Sequence, residues 1–197
     1  MSQDHPIFEE KAWDLNRKQV KLTRLARKLG QEKFASRAAH YDRTATFPTE
    51  NYKDLFESGL IGVCIPESSG GHGADFKTYM LTAAEIGRYC GATALTFNMH
   101  VSSCLWSGHL IDTLDIDKAD RKKHNASREI HYKRILNEGA IYAQPFSEGG
   151  SAAAGSSTFQ TIALKVDNGW IVNGKKIFAS LSGHANYYGT LCTEISE

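Results

Sequence analysis

Hydrophobic residues change their spacing once along the chain. Up to about residue 138 they recur every three or four positions, as on a helix face; beyond about 140 they alternate, as in a strand. Residues 6–43 read as helical, with Leu15, Leu22, Leu25 and Leu29 on one face and Arg17, Lys21, Arg24 and Lys28 on another. Phe47-Pro48 ends that element, Thr49 serves as a cap or first-turn residue, and 51–57 reads as a short helix stopped at Ser58-Gly59. An apolar run, 60–65, leads into the loop Ser68-Ser69-Gly70-Gly71-His72-Gly73. The stretch 75–88 is predicted helical, with Tyr79, Met80, Ala83 and Ile86 on its buried side, and Cys90-Gly91 breaks it. Residues 92–114 form a long helix carrying Leu95, Phe97, Met99, Val101, Leu105, Trp106 and Leu110, apolar nearly all round and hence expected at the centre of a bundle. The charged segment 115–138 reads as a solvated helix packed by Ile130, Ile135 and Leu136.

Gly139 closes the helical half. From there the chain turns to Gly/Ala/Ser-rich and β-branched composition. In 159–166, Ile162, Leu164 and Val166 alternate with Thr161, Ala163 and Lys165, a half-buried period of two. Asn168-Gly169 then predicts a type I′ hairpin turn into 170–180, because that turn needs positive φ twice. Such a hairpin brings the loop around Ser147 and the Phe178-Ala179-Ser180 end onto one rim, with an aromatic face, two hydroxyls and free backbone N–H groups. That suits a flat ring with polar edges; an ordinary β-domain with exposed polar loops explains the pattern as well. The fold class expected is α+β, an all-α domain over 1–138 followed by a β-domain over 139–197.

Composition and charge narrow the function classes. The chain has 197 residues, 41% hydrophobic and 23% charged, enough for packed cores. A formal net charge of +1 gives no electrostatic reason to expect nucleic acid or an anionic membrane as partner. The basic stripe on the first helix reads as a solvated face. Cys64, Cys90, Cys104 and Cys192 lack metal-ligand spacing, so free thiols are expected and a zinc site is not. No apolar run approaches membrane-spanning length and the N-terminus lacks the shape of a signal peptide, which points to a cytoplasmic location. Glycines 70, 71 and 73 fit a phosphate loop or a tight turn equally well. His100 lies on the apolar helix, where a hydrogen-bonded core histidine competes with a functional one.

Two blocks of residues resemble the acyl-CoA dehydrogenase family. Ser147-Glu148-Gly149-Gly150, followed by Gly169-Trp170-Ile171-Val172-Asn173-Gly174-Lys175-Lys176 and Phe178-Ala179-Ser180, is similar to that family's Thr-Glu-Pro-Gly-type loop and Trp-Ile-Thr/Ser tripeptide. Phe47-Pro48, Gly59-Leu60, Ile65-Pro66-Glu67 and Gly70-Gly71-x-Gly73 resemble its N-terminal helical domain in sequence and order, with the glycines as a structural turn. The resemblance implies FAD as cofactor. Ser147 then stands where the loop Thr bonds the flavin edge, Phe178 where the Trp stacks on the ring, and Ser180 where a hydroxyl bonds near N5, with Gln144, Phe146 and Ala179 completing the cofactor set. Ser151 and His100 become the candidates on the substrate side. Gly149 replaces the family's proline, Ser151-Ala152-Ala153-Ala154 replaces its Gly-Ser-Asp, and Phe178 replaces its Trp.

The implied activity is α,β-dehydrogenation of an acyl-CoA thioester with hydride transfer to flavin N5, in a dimeric or tetrameric enzyme. The implied β-domain is an antiparallel barrel, incomplete here. Full family members are longer and end in a helical bundle that usually carries the catalytic glutamate, so no catalytic residue is assigned and the chain alone is expected to be inactive. Two alternatives stand beside this reading: a flavin-dependent monooxygenase on the same scaffold, for which His100 is the residue of interest, and an inactive fragment.

Overall fold

A computed structural model of the chain describes residues 10–11, 13–149 and 158–195, with backbone alone at 106–108 and 110. The chain is α+β and divides into two compact units, residues 1–140 and 141–197.

The first unit is helical. Helix α1 (Arg17–Leu29) runs through a π-helical turn, Gly30–Phe34, into α2 (Ala35–Thr44). It begins at Arg17, after the described residues 13–16, which the apolar spacing had included in the helix; residues 6–9 and 12 lie outside the described residues. Asn16 forms a capping box, with its Oδ1 accepting the Gln19 N–H at 3.0 Å and Gln19 Oε1 accepting the Asn16 N–H at 3.0 Å. Asp14, at φ 47°, turns the preceding chain out of line. Helix α3 (Thr49–Glu57) begins after Pro48 and ends at Gly59, φ 77°. Helix α4 (Phe76–Gly87) is capped by Asp75, which accepts the Thr78 N–H at 2.8 Å. Helix α5 (Gly91–His109) continues as a 3₁₀ turn to Thr113, and α6 (Lys118–Glu138) ends at Gly139, φ 68°.

Packing departs from the sequence pattern at three apolar positions. Met80, Leu95 and Ile130 are exposed at 45%, 62% and 52%. Leu81, Thr82 and Glu85 are enclosed on α4 where the pattern offered Met80, so that its buried face is partly polar. The enclosed Glu85 carboxylate accepts from Arg27 of α1 at 2.9 Å and from Arg88 at 3.3 Å, which joins α1 to α4. The three glycines after residue 69 form a turn. A Cβ on Gly71 would overlap the Ile65 backbone, while the Gly73 N–H donates to the Ile65 carbonyl at 2.8 Å.

Among its described residues the second unit holds two small sheets. Strands β1 (Tyr142–Ala143) and β4 (Tyr187–Tyr188) pair in parallel, with Tyr142 and Tyr187 stacked at 5.0 Å. Strands β2 (Ile162–Val166) and β3 (Gly169–Asn173) form an antiparallel hairpin, and β5 (Thr193–Ile195) joins β2 in parallel, giving the order β3-β2-β5. In place of all-antiparallel pairing, the described residues form one parallel pair and one mixed three-stranded sheet, and no closed barrel is shown among them. Parallel pairing follows from the long excursion between β3 and β5, which allows a crossover that a short turn would not.

The hairpin turn also shifts by one residue. Val166 pairs with Gly169, so Asp167 and Asn168 are the central residues. Neither is among the described non-glycine residues of positive φ, so the turn is not type I′. In β2 the enclosed positions are Thr161 at its entry and Ala163, not the branched Ile162, Leu164 and Val166, which are half-buried. Small residues are required there because the segment after β3 lies against them: a Cβ on Gly174 would overlap Thr161.

Candidate functional site

Two irregular segments of the second unit meet, the loop 144–149 and the arm 174–180. Neither belongs to a strand, so side chains and isolated backbone bonds hold them. The Ile177 N–H donates to the Ser147 carbonyl at 2.8 Å. Glu148, only 2% exposed in its side chain, receives the Lys176 ammonium at 2.7 Å, the Thr161 N–H at 2.9 Å and the Gln160 N–H at 2.6 Å. Lys176 in turn reaches the Phe146 carbonyl at 3.3 Å and lies 4.2 Å from the centre of the Phe159 ring, against which Phe146 packs edge-on at 5.3 Å. Burial alone pushes the Glu148 carboxyl upward; the hydrogen bonds from Lys176, Thr161 and Gln160 overcome it and hold the pKa at about 2.

Past Ile177 the arm becomes a series of tight turns. Phe178 sits at φ 52° and Leu181 at φ 70°, backbone conformations that bulky residues rarely adopt. The Ser180 N–H donates to the Phe178 carbonyl at 3.0 Å and the Ser182 N–H to the Ala179 carbonyl at 3.0 Å. Leu181 is buried as the anchor of the turn, whereas Phe178 is 86% exposed, the most exposed large apolar side chain described. A strained backbone that presents an aromatic ring to solvent invites a functional explanation.

The sequence-derived site residues divide as follows. Ser147, Phe178, Ala179 and Ser180 lie on the two joined segments, and Gln144 and Phe146 lie on the first, all partly exposed. Among the described residues neither the Ser147 nor the Ser180 hydroxyl has an intramolecular partner. Ser151 lies outside the described residues. His100 belongs to the first unit, is fully enclosed, and places Nε2 3.1 Å from the Ile61 carbonyl and 3.9 Å from the Cys104 sulfur. Burial pushes its pKa down to about 4 against the opposing pull of the Ile61 carbonyl, so the ring is neutral near pH 7. The same burial pushes the Cys64 thiol up to about 12 and raises that of Cys104, which keeps both protonated. Sequence reasoning quoted Glu148 and Lys176 within motifs but gave them no role; residues 28 positions apart carry no spacing signal. It also missed a groove of about 540 Å³ lined by Ala163, Trp170, Val172, Tyr188 and Cys192, which contains none of the expected site residues. Among the described residues no cluster of potential metal ligands occurs, and no helix is long and apolar enough to cross a membrane.

The family described as acyl-CoA dehydrogenase, N-terminal domain, matches residues 16–111, beginning at the Asn16 cap. The probable acyl-CoA dehydrogenase YngJ of Bacillus subtilis is 26% identical over 175 residues, covering 88% of this chain and 42% of that protein. Acryloyl-CoA reductase (NADH) of Anaerotignum propionicum is 29% identical over 174 residues, covering 88% and 41%. The solved structure of butyryl-CoA dehydrogenase from Megasphaera elsdenii superposes with a TM-score of 0.71 at 26% identity, covering 89% of this chain and 44% of that one. The chain spans less than half the length of these relatives.

Proposed function

We propose that the chain is a member of the acyl-CoA dehydrogenase family and forms part of an FAD-dependent oxidoreductase that dehydrogenates an acyl-CoA thioester between its α and β carbons. The single observation that carries the reading to particular residues is the joined rim. The loop at Ser147 is bonded to the arm at Ile177, and one residue further on an exposed, strained Phe178 stands beside Ser180. This donor set fits a flat, polar-edged ring: an aromatic face and two hydroxyls without internal partners among the described residues.

FAD, when bound, supplies a hydride acceptor at N5. The chain's own residues bind and orient. Phe178 would cover one ring face, the Ser147 hydroxyl would bond the pyrimidine edge, and the Ser180 hydroxyl would bond near the position that accepts the hydride. Gln144, Phe146 and Ala179 complete the wall on either side. The residue that removes the α-proton is not assigned to any glutamate described here. In this reading the substrate is an acyl-CoA thioester and the enzyme a homo-oligomer.

Stopped-flow mixing of the FAD-loaded full-length protein with acyl-CoA thioesters of graded chain length, without oxygen, tests the proposal. At least one thioester should bleach the oxidised flavin band. Ser180→Ala should slow the bleaching by about two- to tenfold, the worth of one hydrogen bond, with a smaller change in FAD affinity. A band that survives every thioester, with oxygen consumed only when an external reductant is supplied, would overturn dehydrogenation in favour of oxygen chemistry.

A further inference from the structure

We infer that the Glu148–Lys176 pair is a positioning device: it sets the place of the Ser147 hydroxyl relative to the Phe178–Ser180 turn before any ligand arrives. What the rim holds rests on the flavin reading above; the clamp itself rests on the geometry alone. Glu148 follows Ser147 directly in the chain, and Lys176 precedes Phe178 by two positions, so each charged group adjoins a segment that carries a site residue. The side chains are 2% and 9% exposed and their charged atoms 2.7 Å apart. Three donors converge on the carboxylate, from the arm and from the entry to β2, while the ammonium also touches the loop through the Phe146 carbonyl and covers the Phe159 ring. Loop, β2 entry and arm are thereby fastened at one point.

Stability alone does not explain such a pair. A buried ion pair is often no better than apolar residues of the same volume, and its best-attested use is to fix register. Register is what these segments otherwise lack. No ladder runs through 144–149 or 174–180, and the alignment of the two is marked by the Ile177 N–H to Ser147 carbonyl bond beside the pair. Gly174 lets the arm approach Thr161 closely enough for Lys176 to reach the carboxylate that also holds the Thr161 N–H. Neither charged residue needs to touch a ligand; both act through Ser147 and Phe178.

The test compares wild type with Glu148→Gln, Lys176→Met and Lys176→Arg, by amide hydrogen exchange of the ligand-free full-length protein and by FAD titration of the same samples. In Glu148→Gln and Lys176→Met the amides of Gln160, Thr161 and Ile177 should exchange about tenfold faster, as follows from leaving a buried group unpaired. Those of the β2–β3 ladder, Leu164 and Ile171, should not change. FAD affinity should fall by about tenfold in the same two variants and recover towards wild type in Lys176→Arg. Unchanged Ile177 exchange in both variants overturns the inference, as does faster exchange with undiminished FAD affinity in a protein that binds FAD. Should Glu148→Gln release the ladder as well, the two lysine variants decide: equal Ile177 exchange in Lys176→Met and Lys176→Arg overturns it. If Ile177 responds while the wild type binds no FAD, the clamp stands and the flavin reading falls.

Discussion

Glu148 illustrates how one side chain can be enclosed and still ionised. Its carboxyl is held at about 2 against an ordinary value of 4.5 because three donors outweigh the cost of burial. A folded-state pKa below the unfolded one means that the stabilisation is present above pH 4.5 and is lost as pH falls from there towards 2. The second unit is therefore expected to loosen across that acid window. Carbon NMR of the Glu148 carboxyl should show a titration midpoint near 2; a midpoint near 4.5 would mean that the carboxylate is not paired in solution. His100 shows the opposite case, an ionisable group kept neutral by enclosure despite the pull of the Ile61 carbonyl. Ser147, Phe178 and Ser180 are singled out in the sequence only by their resemblance to a known pair of motifs. The clamp beneath them was not, because a glutamate and a lysine 28 residues apart look like any other surface charges in a linear sequence.

At the scale of elements, helices were legible where local chemistry marks them and the β2–β3 hairpin by its alternation, whereas its turn register and enclosed face were not. Pro48, Gly59, Asp75 and Gly139 bound their helices as residue type suggests. Helix α1 had a readable start in Asn16 and Gln19, yet the apolar spacing ran past it. The enclosed face of β2 is an effect of the arm packed on it, which alternation alone cannot foresee. Gly174 is where that packing is tightest, since a Cβ there would overlap the Oγ1, Cα and Cβ of Thr161 at once. Gly174→Ala is expected to cost about 1–3 kcal/mol and to displace the arm, as overpacking does. Thermal unfolding of the second unit measures it, and an unchanged transition would show that the arm is not so closely seated.

For the whole molecule, the two units differ in how their cores are built. The largest fully buried side chains described all fall between residues 22 and 135, among them Phe34, Leu55, Ile86, Phe97 and Ile135. The second unit encloses Tyr142, Ala143, Ala163 and Leu181, and leaves Trp170, Ile171 and Val172 of β3 about half exposed. Local opening should therefore be easier in the second unit. Hydrogen exchange at Phe97 and Val101 of α5 is expected to be slower than at Leu164 of β2; equal protection in monomeric protein would mean that the second unit is as well consolidated as the first.

Titration of the full-length protein with FAD, comparing wild type with Phe178→Ala, bears most directly on the assignment of the rim to a flavin. Among the described residues nothing covers the exposed ring at φ 52°, so its removal should leave the fold intact and take away a stacking face. The wild type is expected to perturb the flavin spectrum saturably and Phe178→Ala to bind about tenfold more weakly, as for the loss of an aromatic stacking contact. Equal FAD affinity in the two proteins, or no saturable binding by the wild type, would contradict it.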